Sequence, residues 1–195
     1  MRPAHYTMQA SDSMHEGGRT PEAVPVINWL DLAESVLLED CRFDAYRGSG
    51  PGGQKRNKTS SSIRLTHLPT GISVVAGESR SQAENKTRAL RRLKLRLALT
   101  IRRPIDSRGF EPPAWFGQVV QLGRLAASHR HEHYARTVAL LLDLLDARNG
   151  SYADVGKLLG VTTSSVVKFL EEAAGSRQNA IKLASNRAND RTNPK

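Results

Sequence analysis

The chain has 195 residues, and its 29 lysines and arginines against 19 acidic residues give a net charge of +10. This excess favours an anionic partner, first nucleic acid and second a membrane surface. The single cysteine, Cys41, excludes a disulfide framework and a cysteine-rich zinc site. No apolar run approaches the ~18 residues of a membrane span, and the N-terminus lacks the apolar stretch of a secretory signal. We therefore expect a cytoplasmic protein that makes no membrane contact.

Residues 1–27 are rich in Gly, Pro, Ser and His and show no periodicity, which predicts a disordered N-terminal arm. A short helix is expected next, with Asn28 as its cap. Its apolar positions at helical spacing are Trp29, Leu32, Ala33, Val36 and Leu37.

Residues 41–47 alternate between apolar and polar side chains, as in a half-buried strand. Apolar residues around Ile63 and Ile72 predict two more strands. Residues 68–71 lie between them as a turn, with proline second and glycine last. The chain therefore predicts an antiparallel sheet of three or four strands.

A helical pattern runs from Ser81 to about Ile101. Its apolar stripe consists of Leu90, Leu93, Leu97 and Ile101, and arginines at i, i+4 spacing form a second stripe of Arg88, Arg92 and Arg96. We expect the apolar stripe to pack on the sheet and the arginines to form a basic ridge.

The second half of the chain has the pattern of a helical module. Prolines and a glycine break the chain at residues 104–114, and Trp115 and Phe116 are expected to anchor the packing of this second region, with a partner contact as the alternative. Helical periodicity begins at about Ser128 and stops at Asn149-Gly150. A helix, a turn at Gly160 and another helix then give a helix-turn-helix pattern.

These elements predict an α+β fold followed by a small all-helical module. The expected boundaries are a disordered arm over 1–27, an α+β domain over 28–103, a linker over 104–114 and a helical module with a polar tail over 115–195. Positive charge is concentrated in the first domain, because residues 41–110 hold 16 basic and 4 acidic residues. A net charge of +12 in one third of the chain indicates a binding surface for phosphates.

The glycine-rich segment after the first strand has several interpretations. A phosphate-binding loop is excluded, because Gln54 and Lys55 stand where that motif requires Lys and then Ser or Thr. A dinucleotide fingerprint is excluded, because polar and basic residues follow instead of an apolar helix. A flexible linker is the plain alternative, but this segment lies inside a domain. Pro51 restricts the backbone while Gly52 and Gly53 widen its range, so we predict a projecting loop whose backbone approaches a partner closely.

The loop has a specific context. An Arg-x-x-Gly-x-Gly-Gly-Gln run is followed by Asn and Thr, a hairpin with a Pro-Thr-Gly turn, and Arg-Ser-Gln at the start of a basic helix. These residues are Arg47, Gly50, Gly52, Gly53, Gln54, Asn57, Thr59, Pro69, Thr70, Gly71, Arg80, Ser81 and Gln82. Over residues 41–100 the chain resembles the catalytic domain of the bacterial-type class I peptide-chain release factors.

The resemblance implies ribosome-dependent hydrolysis of the ester between a nascent peptide and its tRNA, with Gly52, Gly53 and Gln54 as catalytic residues. Gln54 does not titrate near neutral pH, so it would position groups and not act as a general base. Its backbone N–H would stabilise developing negative charge, and its side chain would orient water. The implied partners are large-subunit rRNA and peptidyl-tRNA, with a glutamine methyltransferase as a candidate partner acting on Gln54.

The remaining residues of the predicted site fall into two groups. Contacts to rRNA phosphates, which fix register and do not read sequence, are expected from Arg47, Lys55, Arg56, Lys58, Arg80, Arg88, Arg92 and Arg96. Bracing of the loop is expected from Gly50, Asn57, Thr59, Ser81 and Gln82.

The chain also departs from the family pattern. Lys55 and Arg56 stand where relatives often carry a smaller or apolar pair. Only 40 residues precede the matching region, and the sequence holds no Pro-x-Thr or Ser-Pro-Phe tripeptide of the codon-reading kind. We therefore expect codon-independent rescue of stalled ribosomes instead of codon-specific termination. Some rescue-type relatives end in a long basic tail that probes the empty mRNA channel. Residues 177–195 match such a tail poorly, so the way in which this protein would sense a stalled ribosome stays open.

Two other functions stay open. One is a ribosome- or RNA-binding factor without hydrolytic activity, although its usual mark would be a damaged Gly-Gly-Gln. The other is a DNA-binding regulator, whose second helix would present Thr162, Thr163, Ser164, Ser165 and Lys168. Residues 151–175 hold two lysines and three acids, which is the wrong sign of charge for binding a duplex.

We expect no metal and no cofactor. His129, His131 and His133 do not follow the HExxH spacing, and i, i+2, i+4 positions do not share one helix face, so a solvated helix start is the preferred interpretation. His67 is expected to be packed or hydrogen-bonded and not catalytic. A monomer is the expected oligomeric state.

Overall fold

A computed structural model describes residues 29–46 and 61–185 of the chain. Three strands, β1 (Cys41–Tyr46), β2 (Ser62–His67) and β3 (Ser73–Ala76), form an antiparallel sheet in the order β1–β2–β3. Strand alternation places Phe43, Leu65 and Val74 side by side in register on one face. The long helix α2 (Gln82–Thr100) packs against β2 and β3. The predicted α+β architecture is confirmed.

The first helix is shorter than predicted. Helix α1 covers Glu34–Glu39, with Ala33 as an N-cap that makes no side-chain capping bond. The residues before it make tertiary contacts instead: the Trp29 ring meets the His67 ring edge-on at 4.8 Å, and Asp31 pairs with Arg103, just after α2, and with Arg136 of the helical module. The expected helix start at Asn28 was therefore wrong for the described residues 29–33, and Asn28 itself lies outside them.

The predicted turn between β2 and β3 is confirmed. The N–H of Gly71 donates to the carbonyl of His67 at 2.9 Å, and the N–H of His67 donates to the carbonyl of Ile72 at 2.9 Å. Gly71 has a φ of +69°, a left-handed conformation that favours glycine. Thr70 ties the turn together, since its hydroxyl lies 2.8 Å from His67 Nδ1.

The second half of the described chain begins with two small elements that the sequence analysis did not predict. A 3-10 helix covers Ala114–Val119. The strands β4 (Val120–Gln121) and β5 (Arg124–Leu125), of two residues each, follow it in sequence and form a hairpin. The side chain of Phe116 is buried, as expected for an anchor. The elements are too short to leave a periodic pattern in the sequence.

Four helices follow: α3 (Tyr134–Ala147), α4 (Tyr152–Leu159), α5 (Thr163–Ala174) and α6 (Arg177–Ser185). Helix α3 starts at Tyr134 and not at Ser128, because residues 128–133 form turns. Its end at Asn149 and Gly150, both with positive φ, is as predicted. Gly160, in a left-handed conformation, joins α4 to α5, which confirms the helix-turn-helix pattern.

An ion-pair network joins the end of α2 to the helical module. Asp143 of α3 is almost fully buried, and it accepts hydrogen bonds from the backbone N–H and the Nε of Arg103. Asp31 lies 3.7 Å from Arg103 Nη1 and 2.7 Å from Arg136 Nη2. Helix α2 also packs directly against α3, and the buried apolar residues of sheet and helices form one cluster. No helix within residues 29–46 and 61–185 has both the length and the hydropathy that a membrane crossing requires.

Candidate functional site

The predicted catalytic residues Gly52, Gly53 and Gln54 lie outside the described residues. So do the other predicted residues of the loop, which are Arg47, Gly50, Lys55, Arg56, Asn57, Lys58 and Thr59. The structure describes the two strand ends between which this segment lies in sequence. Tyr46, the last residue of β1, is the register partner of Ser62, the first residue of β2. The Gly-Gly-Gln segment is therefore the connection of an antiparallel strand pair.

A buried amide fixes the residue that precedes β2. Asn85 of α2 has no exposed surface, and its Nδ2 donates to the carbonyl oxygens of Ser61 at 2.7 Å and Ser79 at 2.8 Å. Its Oδ1 accepts from the N–H of Ser79 at 3.0 Å. The sequence analysis missed this residue. An asparagine inside a helix, where its intrinsic propensity is poor, was the available signal.

A close backbone approach lies beside this amide. An added Cβ on Gly77, just after β3, would lie 2.5 Å from the Oγ and 3.2 Å from the Cβ of Ser62. Glycine is therefore the residue that lets the end of β3 pass the start of β2 this closely. Ser62 is itself buried, so its side chain has little room to move away.

The predicted Arg-Ser-Gln group lies at the N-terminus of α2. Ser81 is the N-cap, and its hydroxyl accepts from the N–H of Glu84 at 3.3 Å. Ser81 also donates its own N–H to the hydroxyl of Ser79 at 3.0 Å. Arg80 is exposed directly before this cap, and Gln82 is the first exposed residue of the helix. Ser81 and Asn85 therefore both bind Ser79, the residue between β3 and α2.

The arginine stripe of α2 is divided between paired and unpaired side chains. Arg92 Nη2 lies 2.6 Å from Glu78 Oε1, and its Nη1 donates to the carbonyl of Val75. Arg88 lies between Glu78, at 3.9 Å, and Glu84, at 3.6 Å. The hydrogen bond from Arg92 lowers the pKa of Glu78, which keeps this carboxylate ionised. Arg96 is exposed and has no acidic partner within 29–46 and 61–185.

Further cations lie on and beside the sheet. Arg64 lies over the Tyr46 ring, 5.4 Å from its centroid, and Arg42 pairs with Asp44 at 3.2 Å. Lys86, an exposed residue of α2, lies 4.5 Å from the centroid of the Phe43 ring. By strand alternation Arg42 and Arg64 lie on the face opposite Phe43, so these cations belong to two sides of the sheet.

The histidines have structural surroundings. His67 is fully buried between Trp29 and Thr70, and burial lowers the pKa of its ring. It is packed and hydrogen-bonded, as predicted. His133 contradicts the expected solvated helix start, because it is buried beside Trp115, with ring centroids 5.2 Å apart, and burial lowers its pKa as well. His129 is exposed. No group of three or more His, Cys, Asp or Glu residues in the described part is placed to hold a metal ion.

Part of the helix-turn-helix surface makes hydrogen bonds to other segments of the same chain. The hydroxyl of Ser165 accepts from the N–H of Leu125 at 2.8 Å, and the N–H of Thr162 donates to the carbonyl of Gly123 at 2.9 Å. Thr163, Ser164 and Lys168 remain exposed on α5. Ser165, one of the residues expected to face a duplex, instead fastens the β4–β5 hairpin to α5.

A known protein family covers the sheet, helix α2 and the Gly-Gly-Gln segment in sequence. The family described as RF-1 domain matches residues 31–109. Residues 31–109 are therefore similar to that domain, which agrees with the resemblance to class I peptide-chain release factors found in the sequence.

Individual relatives match over the same region. Peptide chain release factor 1 of Anaplasma marginale (strain Florida) is 42% identical over 89 residues, which are 46% of this chain and 24% of the relative. The proteins of the same name from Ehrlichia canis (strain Jake) and Endomicrobium trichonymphae are 43% and 40% identical. Each again matches over 89 residues, which are 46% of this chain and 24% of the relative. The chain thus aligns with about a quarter of the length of these curated relatives.

Proposed function

We propose that this protein hydrolyses the ester of peptidyl-tRNA on the ribosome and so releases the nascent peptide. The observation that carries the proposal is the intact Gly52-Gly53-Gln54 within a release-factor domain. Its support is the juxtaposition of Tyr46 and Ser62, which makes the tripeptide part of a connection between two paired strands.

The chemistry of these residues is positional. Glutamine neither accepts nor loses a proton near neutral pH, so Gln54 contributes a backbone N–H and an amide that orient water and stabilise the developing oxyanion. Loss of one such donor typically costs about 3 kcal/mol of transition-state stabilisation. The remaining groups come from rRNA and from the ribose of the tRNA, so the isolated protein is inert toward peptidyl-tRNA.

The cations of the domain bind rRNA phosphates and hold the tripeptide at the reaction centre. Arg80, Arg88, Arg92 and Arg96 on and before α2, with Lys55, Arg56 and Lys58 in the segment, supply this contact. Two of them, Arg88 and Arg92, are already paired with exposed carboxylates, and phosphate oxygens would replace those partners. Contacts of this kind depend strongly on salt.

Release by this protein does not require a stop codon, and its substrate is a stalled ribosome. This part of the proposal is supported by the sequence in hand, in which neither codon-reading tripeptide occurs. The helical module, fixed to the domain through Arg103 and Asp143, would then take part in docking on the ribosome. Its acidic balance over residues 151–175 disfavours duplex DNA as its ligand.

The test uses purified protein and ribosomes that carry labelled peptidyl-tRNA, with or without a stop codon in the A site. We expect release in both cases, and Gly53→Ala should abolish it while ribosome binding by sedimentation stays intact. Release that requires the stop codon would overturn the codon-independent part and support termination. Binding without release under either condition would favour the non-hydrolytic factor, and binding to DNA alone would favour the regulator.

A further inference from the structure

Asn85 makes more hydrogen bonds than any role in its own helix requires. Both N–H groups of its amide are used, toward Ser61 and Ser79, and its oxygen accepts from the N–H of Ser79. All three bonds go to backbone groups outside α2. Since the side chain is fully buried, each of these backbone groups would lose its partner if the amide were removed.

The bond to Ser61 spans 24 residues of sequence and reaches the point where the chain enters β2 after the Gly-Gly-Gln segment. On the other side of that segment, Tyr46 is held by its pairing with Ser62. Ser61 therefore takes its position from α2 and not only from the sheet. The other two hydrogen bonds of the Asn85 amide fix Ser79, which lies between β3 and α2.

Helix α2 also carries the arginines that would meet rRNA. Arg88 follows Asn85 by three residues, so the two lie about one helical turn apart on one rigid element. An element that holds both the phosphate contacts and the entry to β2 fixes the distance between them. The pose of the domain on the ribosome then sets where the chain enters β2 after the Gly-Gly-Gln segment.

We propose that Asn85 is a positioning residue for peptide release, acting through its hydrogen bond to Ser61. The inference rests on the proposed function, because it assigns a role in that reaction. Reactions that depend on placement are sensitive to small shifts, and a displacement of about 1 Å can cost about 100-fold in rate. Loss of the Asn85 amide should therefore slow release more than it weakens ribosome binding.

The experiment measures single-turnover release with Asn85→Ala across a range of protein concentrations, per folded molecule. We expect the rate at saturation to fall about 10- to 100-fold, with the half-saturating concentration unchanged. Thr137→Ala is the matched control, because Thr137 is an equally buried polar residue that donates to the His133 carbonyl within α3. A merely structural defect would lower the folded fraction of either variant and leave the rate per folded molecule unaltered.

Asn85→Asp provides a second test, because it removes the amide donor without leaving a cavity. Its carboxylate keeps an acceptor for the Ser79 N–H but has no hydrogen to donate to Ser61, whereas its protonated form regains one donor. The release rate of Asn85→Asp, divided by that of the unsubstituted protein at the same pH, should therefore rise as the pH is lowered. A pH-independent ratio near one would overturn the inference.

Failure of the inference and failure of the proposed function give different results. If the unsubstituted protein releases peptide and Asn85→Ala does so equally fast per folded molecule, the role of Asn85 is wrong and the function stands. If the unsubstituted protein releases nothing, the function and the role in release both fail. Amide hydrogen exchange at Ser79, faster in Asn85→Ala than in Thr137→Ala, would then still establish that the amide anchors Ser79, and equal exchange would refute that.

Discussion

Arg103 binds Asp143 through two groups at once: its backbone N–H donates to Oδ1 at 2.9 Å and its Nε donates to Oδ2 at 3.1 Å. The two residues are 40 positions apart, and the pair fastens the chain just after α2 to the middle of α3. Asp143 is almost completely buried, so its carboxylate depends on this partner. The pair is therefore a buried polar link between the sheet-and-helix domain and the helical module, beside the more exposed pair of Asp31 and Arg136.

Arg103→Ala should destabilise the protein by about 3 kcal/mol, because it leaves a buried carboxylate with one backbone hydrogen bond and the charge of Arg102. The free energy of unfolding in urea measures this. Asp143→Asn added to Arg103→Ala should recover part of the loss, since the second change removes the unpaired charge. Arg108→Ala, at a side chain that is 93% exposed, is the control. A loss below about 0.5 kcal/mol in Arg103→Ala would show that the pair contributes nothing beyond its backbone bond.

The same variant has a predictable pH dependence. Burial raises the pKa of the Asp143 carboxyl above its ordinary value of 3.8, and the bonds from Arg103 oppose that rise. Without Arg103 the native pKa rises further, and stability linked to the protonated form is lost as the pH rises through that native value. The destabilisation by Arg103→Ala should therefore shrink from neutral to mildly acidic pH. A loss that grows on acidification would contradict this sign.

Gly156→Ala tests the turn of the helix-turn-helix. A Cβ at this position in α4 would lie 2.8 Å from the carbonyl oxygen of Val161 and 3.3 Å from the N of Thr163. These are backbone atoms in the turn before α5 and at its first residue, so they cannot rotate away, and we expect a loss of about 1–3 kcal/mol. Gly117→Ala, where an added Cβ meets nothing within 4 Å, is the matched control for urea unfolding. Equal stability of the two variants would show that the two helices separate at little cost.

Burial of His67 predicts a loss of stability in acid. Its pKa lies below the ordinary value of 6.5, because desolvation outweighs the opposing charge of Asp40. A base with a lowered native pKa contributes stability that is present above the unfolded value and is lost as the pH falls through the native one. His67→Phe should flatten the decline of unfolding free energy below pH 6.5, leaving the part due to His133. An unchanged slope would show that His67 does not titrate in this range.

The sheet and the long helix were predictable because their patterns are local. Strand alternation in residues 41–46 and the stripe of Leu90, Leu93 and Leu97 follow from the periods of strand and helix. The start of α1 was not predictable, since Trp29 and Asp31 are held by residues far along the chain. The same reason applies to His133, whose burial comes from Trp115 in an element too short to show a pattern.

The candidate site likewise contains residues that the sequence predicts and residues that only the fold reveals. The tripeptide and the turn residues are recognised from their order in the sequence, which a family keeps at fixed spacing. Asn85 was missed because its partners, Ser61 and Ser79, come from two other segments that only the fold brings to it. The pairing of Arg88 and Arg92 with Glu78 was missed because Glu78 precedes the helix and lies outside its i, i+4 pattern.

Arg96 provides the sharpest test of the basic ridge. It is exposed, whereas Arg88 lies within 4 Å of two carboxylates and would have to exchange them for phosphate. Arg96→Ala should therefore weaken ribosome binding more than Arg88→Ala does, and it should reduce the slope of log affinity against log salt by about 1.

Sedimentation with ribosomes at several salt concentrations gives both quantities, and urea unfolding should find Arg96→Ala as stable as the unsubstituted protein. Arg108→Ala removes an exposed cation away from the ridge and controls for net charge. If Arg108→Ala lowered the slope as much as Arg96→Ala, binding would depend on total charge and not on this face of α2. If Arg96→Ala bound normally at every salt concentration, the ridge would not contact RNA at this position.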